Sequence, residues 1–181
     1  MRVLISPPTP ADEEAFLAAN IRSRKLHGRW SSGPETPEEY ATYLAKAAEE
    51  RRRYFFARLR DGGDLVGFLN LGEIIRGSLH QAFIGYGAFA GHEGRGLMSE
   101  AMQLVLAEAF GPLELHRIEA NIQPGNRPSI LLAQRNGFTR EGFSPRYLKI
   151  NGRWRDHERW AISAELWREH RRAARSRPAR N

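Results

Sequence analysis

Ala88-Phe89-Ala90-Gly91-His92-Glu93-Gly94-Arg95-Gly96-Leu97-Met98-Ser99-Glu100-Ala101 is the stretch whose reading decides the fold. An apolar segment, His80 to Phe89, runs into it, and an amphipathic run, Leu97 to Phe110, leads out. That order predicts strand, glycine-rich turn, helix. Glycines at 91, 94 and 96 allow the backbone to approach a ligand closely and to turn its N–H groups inward. The helix N-terminus behind them adds unpaired donors and partial positive charge, which suits a phosphate or pyrophosphate. An ordinary strand-to-helix turn that uses glycine only for geometry fits the same letters, because short glycine spacings are weakly specific. Two phosphate motifs do not fit. Gly91 and Gly96 have P-loop spacing, but Leu97 and Met98 follow in place of Lys and Ser or Thr. A dinucleotide fingerprint would need a third glycine where Ser99 stands.

At 181 residues the chain is long enough for one domain with a substantial core. No run of 18 apolar residues exists, and the start Met1 to Pro8 is too short and too early in prolines for a signal peptide, so a cytoplasmic protein without membrane contact is expected. There is no cysteine, which excludes disulfides, Cys-ligated metal and a thiolate acyl-enzyme; no metal site is expected. The net charge of +7 is uneven. Residues 168–181 hold six arginines against one glutamate, a surplus of five, which leaves about +2 for the rest. This basic C-terminal tail, 166–181, reads as a flexible or helical extension. It could meet RNA or ribosome phosphates, or it could simply be solvated.

Outward from the glycine turn, the other elements follow. Val3 to Ser6 reads as a strand. Thr9-Pro10-Ala11-Asp12 is a helix start, and the helix runs toward His27. A loop with Trp30 precedes a second start, Thr36-Pro37-Glu38-Glu39, where Glu39 is placed for a capping box. Tyr54 to Arg60, Leu65 to Ile75 and His80 to Phe89 predict an antiparallel meander. After the glycine-turn helix, Gly111-Pro112 stops the chain, and His116 to Ile122 is the next strand. Pro124 to Ser129 opens a short helix closed by Gly137. Phe138 to Ile150, interrupted at Pro145, turns at Asn151-Gly152, a type I′ hairpin signal, and returns to Ile162. A mixed sheet flanked by helices follows.

At Glu93-Gly94-Arg95-Gly96-Leu97-Met98 with Ser99-Glu100-Ala101, the chain resembles the GNAT acetyltransferase superfamily, whose loop reads Gln/Arg-x-x-Gly-x-Gly/Ala. Further segments resemble the ribosomal-protein-alanine N-acetyltransferases of the RimJ/RimL type. These are His116-Arg117-Ile118-Glu119-Ala120-Asn121, Pro124-x-Asn126-x-x-Ser129, Asn136-Gly137-Phe138-x-x-Glu141-Gly142, Tyr147-Leu148, Asn151-Gly152 and Asp156-His157. Arg76-Gly77-Ser78 also fits RimJ. The resemblance covers roughly residues 1–165, as one acetyltransferase domain, and leaves out the tail. Two departures sit in the loop: Glu93 where the family has Gln or Arg, and Met98 where it has Gly or Ala.

The resemblance implies an α/β (α+β) GNAT fold, a mixed sheet of about seven strands splayed between the fourth and fifth and flanked by about four helices. It implies acetyl-CoA in the splay. Phe89, Ala90 and Gly91 would offer backbone groups to the pantetheine and thioester, one N–H serving a tetrahedral oxyanion. The amides of Gly94, Arg95, Gly96, Leu97 and Met98 would hold the pyrophosphate. Asn126 would bond the pantetheine arm, unless it only caps the helix at Arg127. Ser129 matches the family serine proposed to protonate the leaving thiolate; a first-turn serine that caps or only contacts the cofactor fits the same position. Glu119 is the first candidate for general base and Glu73 the second; the glutamate with this role in RimL-type enzymes falls near Leu148 here. Either glutamate is otherwise an exposed strand residue, and His92 and His116 read as surface or cap residues.

The implied reaction is direct acetyl transfer, in a ternary complex, to a primary amine. A protein α-amine has a pKa of about 8 against about 10.4 for lysine, so a site without a strong base suits N-terminal amines. The first reading is a protein N-terminus starting with Ala or Ser, in a groove formed by the Trp30 loop, Glu35 and Tyr147. A small amine (an antibiotic, polyamine or amino acid) is the second. A catalytically idle acyl-CoA- or ribosome-binding module is the third. Monomer and homodimer both remain open, the latter through the 145–162 hairpin.

Overall fold

In a computed structural model that describes residues 1–176, the extended segments join one seven-stranded sheet. Arg177 and Arg180 of the tail lie outside the described residues. The strands are β1 (Val3–Ser6), β2 (Arg53–Leu59), β3 (Leu65–Ile75), β4 (Gln81–Ala88), β5 (Arg117–Ile122), β6 (Thr139–Ile150) and β7 (Arg153–Ser163). Their order across the sheet is β1-β2-β3-β4-β5-β7-β6. All neighbours are antiparallel except β4 and β5. That parallel pair is short, Gln81 to Phe83 against Arg117 to Glu119, so from Ile84 onward β4 leaves β5 and the sheet splits.

The helices are α1 (Glu13–Arg22), α2 (Arg24–His27), α3 (Pro37–Ala47), α4 (Leu97–Phe110), α5 (Arg127–Arg135) and α6 (Ala164–Arg175). Six α-helices among the described residues replace the four or so expected, for two reasons. The first helix breaks at Ser23, whose Oγ donates to the Ala19 carbonyl at 2.6 Å, a back-bond that competes with helix continuation. The second is α6, which forms where the arginine-rich run begins and crosses residue 165. Trp167 anchors it: the ring lies 5.5 Å from that of Phe110, and Nε1 donates to Gln103 Oε1 at 3.1 Å. The Arg171 guanidinium covers the other side of the ring at 4.7 Å.

Two apolar layers hold the sheet. On one face α4 buries Leu97, Met98, Ala101, Met102, Val105, Leu106 and Ala109, the spacing of one helical stripe. They pack on Val66, Leu69, Ile84, Ile118, Ala120 and Ile162. Each large side chain so buried contributes about 1.5–3 kcal/mol. On the other face α1 and α3 bring Phe16 and Tyr40 onto Phe56, Leu65 and Phe89. α3 starts with the expected capping box: Thr36 Oγ1 accepts from Glu39 N, and Glu39 Oε2 accepts from Thr36 N, both at 3.3 Å. The Asn151-Gly152 turn has φ of 48° and 77°, as a type I′ hairpin requires. No helix of the described residues is long and apolar enough to cross a membrane.

Candidate active site

A cleft of about 350 Å3 occupies the split. The end of β4, the glycine turn and the first turns of α4 and α5 line it, and the loop around Trp30 closes its far side. Gly94, Gly96, Leu97, Met98, Asn126 and Ser129 line it, as expected for a ligand in the splay. Gly91, Gly94 and Gly96 have φ of 93°, 73° and 77°, values that side chains adopt only with strain. A Cβ at Gly91 or Gly94 would meet nothing within 4 Å, so the turn is open. Gly96 is the N-cap of α4, and the first-turn residues Leu97, Met98 and Ser99 line the cleft.

The two departures of the loop have different outcomes. Met98 borders the cleft but is 8% exposed. It packs on β3 where Gly67 makes room, since a Cβ there would come within 2.6 Å of Met98 Sδ. Glu93 lines the cleft and folds onto the loop itself, its Oε2 accepting from Gly91 N at 2.5 Å. Its own N–H and those of Gly91 and His92 hold its carboxyl below the usual carboxylate range.

The strand end differs from expectation. Phe89 N donates to the Val66 carbonyl (2.7 Å), Ala90 N to Ser23 Oγ (2.9 Å) and Gly91 N to Glu93. These three amides are therefore engaged, and neither Phe89, Ala90 nor Gly91 lines the cleft. Arg95 is also absent from the lining, and its carbonyl accepts from Arg2 Nη2. Because Phe89 N faces β3, strand alternation turns the N–H and C=O of Ala88 the other way, into the split.

Ser129 stands in the first turn of α5, where Asn126 Oδ1 caps its N–H at 3.3 Å. Its Oγ donates to Tyr86 Oη at 2.9 Å, and Tyr86 Oη donates to the Ser129 carbonyl at 3.3 Å. Burial pushes the Tyr86 phenol up to about 12, the Ser129 hydrogen bond offsetting only part of that shift. Tyr86 was not among the sequence candidates. The available signal was a polar tip in the apolar alternation Ala82, Ile84, Tyr86, where a buried hydroxyl needs a partner.

The carboxylates proposed as bases are held elsewhere. Glu119 lies level with Phe83, where β4 and β5 still pair, and does not line the cleft. Its Oε1 accepts from Arg117 Nε at 2.7 Å, while the same guanidinium also holds Glu141. Glu73 is exposed and pairs with Arg52 at 3.3 Å, far along β3. Of the residues expected on the acceptor side, Trp30 lines the cleft in the split and lies against Gly125, its carbonyl accepting from Gln123 Nε2 at 3.0 Å. Glu35 lines a second cavity and is bound bidentately by Arg24, at 2.6 and 2.7 Å. Tyr147 lines neither cavity and packs edge-on against His157, with centroids 6.3 Å apart. The hairpin tip crosses to the α2 side, Asn151 Nδ2 donating to the Gly28 carbonyl at 3.1 Å.

The Acetyltransferase (GNAT) domain family matches residues 2–139. The chain belongs to the GNAT acetyltransferase family. Among its relatives, the probable N-acetyltransferase YjcK of Bacillus subtilis is 44% identical over 168 residues, 88% of this chain and 93% of that protein. The [ribosomal protein uS5]-alanine N-acetyltransferase of Escherichia coli is 36% identical over 107 residues, 59% of this chain and 55% of that one. Among solved structures, Mycobacterium smegmatis RimJ in complex with CoA-disulfide superposes with a TM-score of 0.84 at 29% identity, covering 96% of this chain and 90% of that one.

The residues of this GNAT site suit an anionic ligand with an amide-bearing arm. The turn brings Gly94, Gly96 and the N-terminus of α4 to the cleft. Two buried polar atoms have no hydrogen-bond partner among the described residues: His92 Nδ1 in the turn and Asn121 Oδ1 on β5. Glu119 and Asn121 face away from the α4 layer, which takes Ile118, Ala120 and Ile122. The unpartnered amide oxygen therefore faces the α1–α2 side of the sheet, near where the strands part.

Proposed function

We propose that this GNAT enzyme transfers the acetyl group of acetyl-CoA directly to a primary amine, the N-terminal α-amine of a ribosomal-protein-like chain beginning with Ala or Ser. The observation that carries the reading is the split between β4 and β5, with the glycine turn on one side and the Ser129–Tyr86 pair on its wall. The similarity to an alanine N-acetyltransferase of a ribosomal protein supports the acceptor.

Acetyl-CoA supplies an activated acyl thioester. The amides of Gly94, Gly96, Leu97 and Met98 at the α4 N-terminus bind its phosphates. Asn126 keeps its Nδ2 for the pantetheine arm while Oδ1 caps α5. Ala88 N–H, turned into the split, is the donor for the developing oxyanion, in place of the engaged amides of 89–91. Both hydroxyl hydrogens are shared within the Ser129–Tyr86 pair, so the Tyr86 hydroxyl turns from the Ser129 carbonyl to the leaving thiolate as its charge develops. A phenol near 12 is a poor acid toward a thiolate whose conjugate pKa is about 8.5, so the pair acts mainly as a hydrogen-bond donor. The acceptor nitrogen carries a proton of its own that can neutralise the thiolate.

Calorimetric titration with acetyl-CoA, with CoA and ATP as controls, tests the cofactor. Micromolar affinity, about −8 kcal/mol, is expected, with loss in Gly96→Val. Mass spectrometry of an Ala-starting peptide against a polyamine then tests the acceptor. Acetylation of the polyamine alone would replace the peptide reading, and no acetyl-CoA binding at millimolar concentration would remove both.

A further inference from the structure

A second cavity, about 290 Å3, lies on the α1–α2 side of the sheet and is lined by Asn20, Arg24, His27, Ser31, Glu35 and Phe68 among others. Only His27 lines both it and the cofactor cleft. We propose that this second cavity receives the acceptor amine and that His27 Nδ1 takes its proton. The assignment rests on the acetyl-transfer reading above and supplies the base that reading lacks.

The tautomer follows from the partner. His27 Nε2 lies 2.6 Å from the Ala88 carbonyl, and a carbonyl can only accept, so Nε2 carries the hydrogen. In the neutral ring the lone pair is then on Nδ1, which has no hydrogen-bond partner among the described residues. The ring also lies against β4, since a Cβ on Gly87 would come within 3.1 Å of His27 Cε1. The imidazole thus sits at the strand end whose Ala88 peptide faces the split.

Its position is fixed twice. Ser23, fully buried, starts α2 and accepts from Ala90 N through Oγ, while its carbonyl accepts from Leu26 N and His27 N. Backbone and side chain of α2 are therefore bonded to the same strand end that the acceptor must reach. The other titratable groups near the two cavities are paired or placed elsewhere. From the second cavity, Arg24 and Glu35 neutralise each other; from the cleft, Glu93 is folded onto its own loop. His92 and Arg135 line only the cleft. Glu119 is held by Arg117, and His157 lines neither cavity.

The protons balance. An acceptor ammonium gives one proton to His27 Nδ1 and becomes the nucleophile. Its nitrogen bonds the acyl carbon, the carbon–sulfur bond breaks, and the second nitrogen proton passes to the thiolate. His27 returns the first proton to solvent, so the net products are amide, thiol and one proton.

His27→Gln retains an N–H for the Ala88 carbonyl but has no basic lone pair. Acetyl-CoA affinity should stay within about threefold while kcat/KM falls about 100-fold or more. In the wild type, one acidic limb of the kcat/KM–pH profile should stay fixed when acceptors of different amine pKa are exchanged, and His27→Gln should lose it. Nitrogen-15 NMR of histidine-labelled protein should show His27 as the Nε2–H tautomer, whatever the activity. An Nδ1–H tautomer, or His27→Gln turning over at the wild-type rate, overturns the assignment and leaves the acetyl-transfer reading standing. A wild-type protein that binds acetyl-CoA but acetylates neither peptide nor polyamine overturns that reading and this assignment with it.

Discussion

Ser129 Oγ donates to Tyr86 Oη across 2.9 Å, tying the first turn of α5 to the free end of β4 on the wall of the cofactor cleft. The two residues are 43 positions apart. A buried phenol that stays protonated throughout the neutral range makes a durable donor.

Tyr86→Phe keeps the ring and removes only the hydroxyl. One lost hydrogen bond to a developing thiolate is worth about 1.5–3 kcal/mol, so kcat should fall roughly 10- to 100-fold. Acetyl-CoA affinity should be nearly unchanged. Because Ser129 and Tyr86 act as a pair, adding Ser129→Ala should cost much less than it does alone. Unchanged kcat in Tyr86→Phe would falsify the role.

Glu93 Oε2 accepts from Gly91 N in the turn proposed to hold the cofactor phosphates. Glu93→Gln removes the charge and keeps a side-chain oxygen for Gly91 N. Acetyl-CoA should bind more tightly, by about fivefold at low salt, and the gain should shrink as added salt screens the loop. Titration calorimetry at two ionic strengths reads both effects; weaker binding in the variant would show that the carboxylate supports the loop rather than opposing the ligand.

Asn136 is fully buried and joins two helices. Its Oδ1 accepts from Ser99 Oγ and Gln103 Nε2 at 3.3 and 3.0 Å, and Nδ2 donates to the Leu132 carbonyl at 2.8 Å. Asn136→Leu leaves those partners without it inside the protein. A loss of about 2–3 kcal/mol is expected, read as a lower urea midpoint at constant m. A midpoint unchanged within error would mean that water replaces the side chain.

His157 is 2% exposed, and burial lowers its pKa from 6.5. The folded protein therefore binds this proton less well than the unfolded chain. Above about pH 6.5 the residue makes no difference. As pH falls below that, the unfolded chain is protonated first and stability declines until the folded pKa is reached. His157→Phe should remove this part of the acid sensitivity, so the gap in Tm between wild type and variant should change between pH 7 and 5. A constant gap would contradict the shift.

Much of this protein is decided by neighbours in sequence. The Thr36–Glu39 box, the Asn151-Gly152 turn and the positive φ values of Gly91, Gly94 and Gly96 depend on residues a few positions apart. So does the burial stripe of α4. The order of elements, the glycine turn and the placing of Ser129 in the split are therefore legible from the letters. The tie between Ser23 Oγ and Ala90 N and the docking of Trp167 are not, because each is a contact with another part of the fold. The site shows the same division. Sequence can nominate Glu119, Phe89, Ala90 and Gly91, but not say that Arg117, Val66, Ser23 and Glu93 already occupy their polar groups. It offers no sign that Tyr86 meets Ser129, or that His27 meets Ala88 from 61 residues away. Local chemistry sets dihedral angles and periodicity; which donor stays free is decided only when packing brings distant groups within about 3 Å of one another.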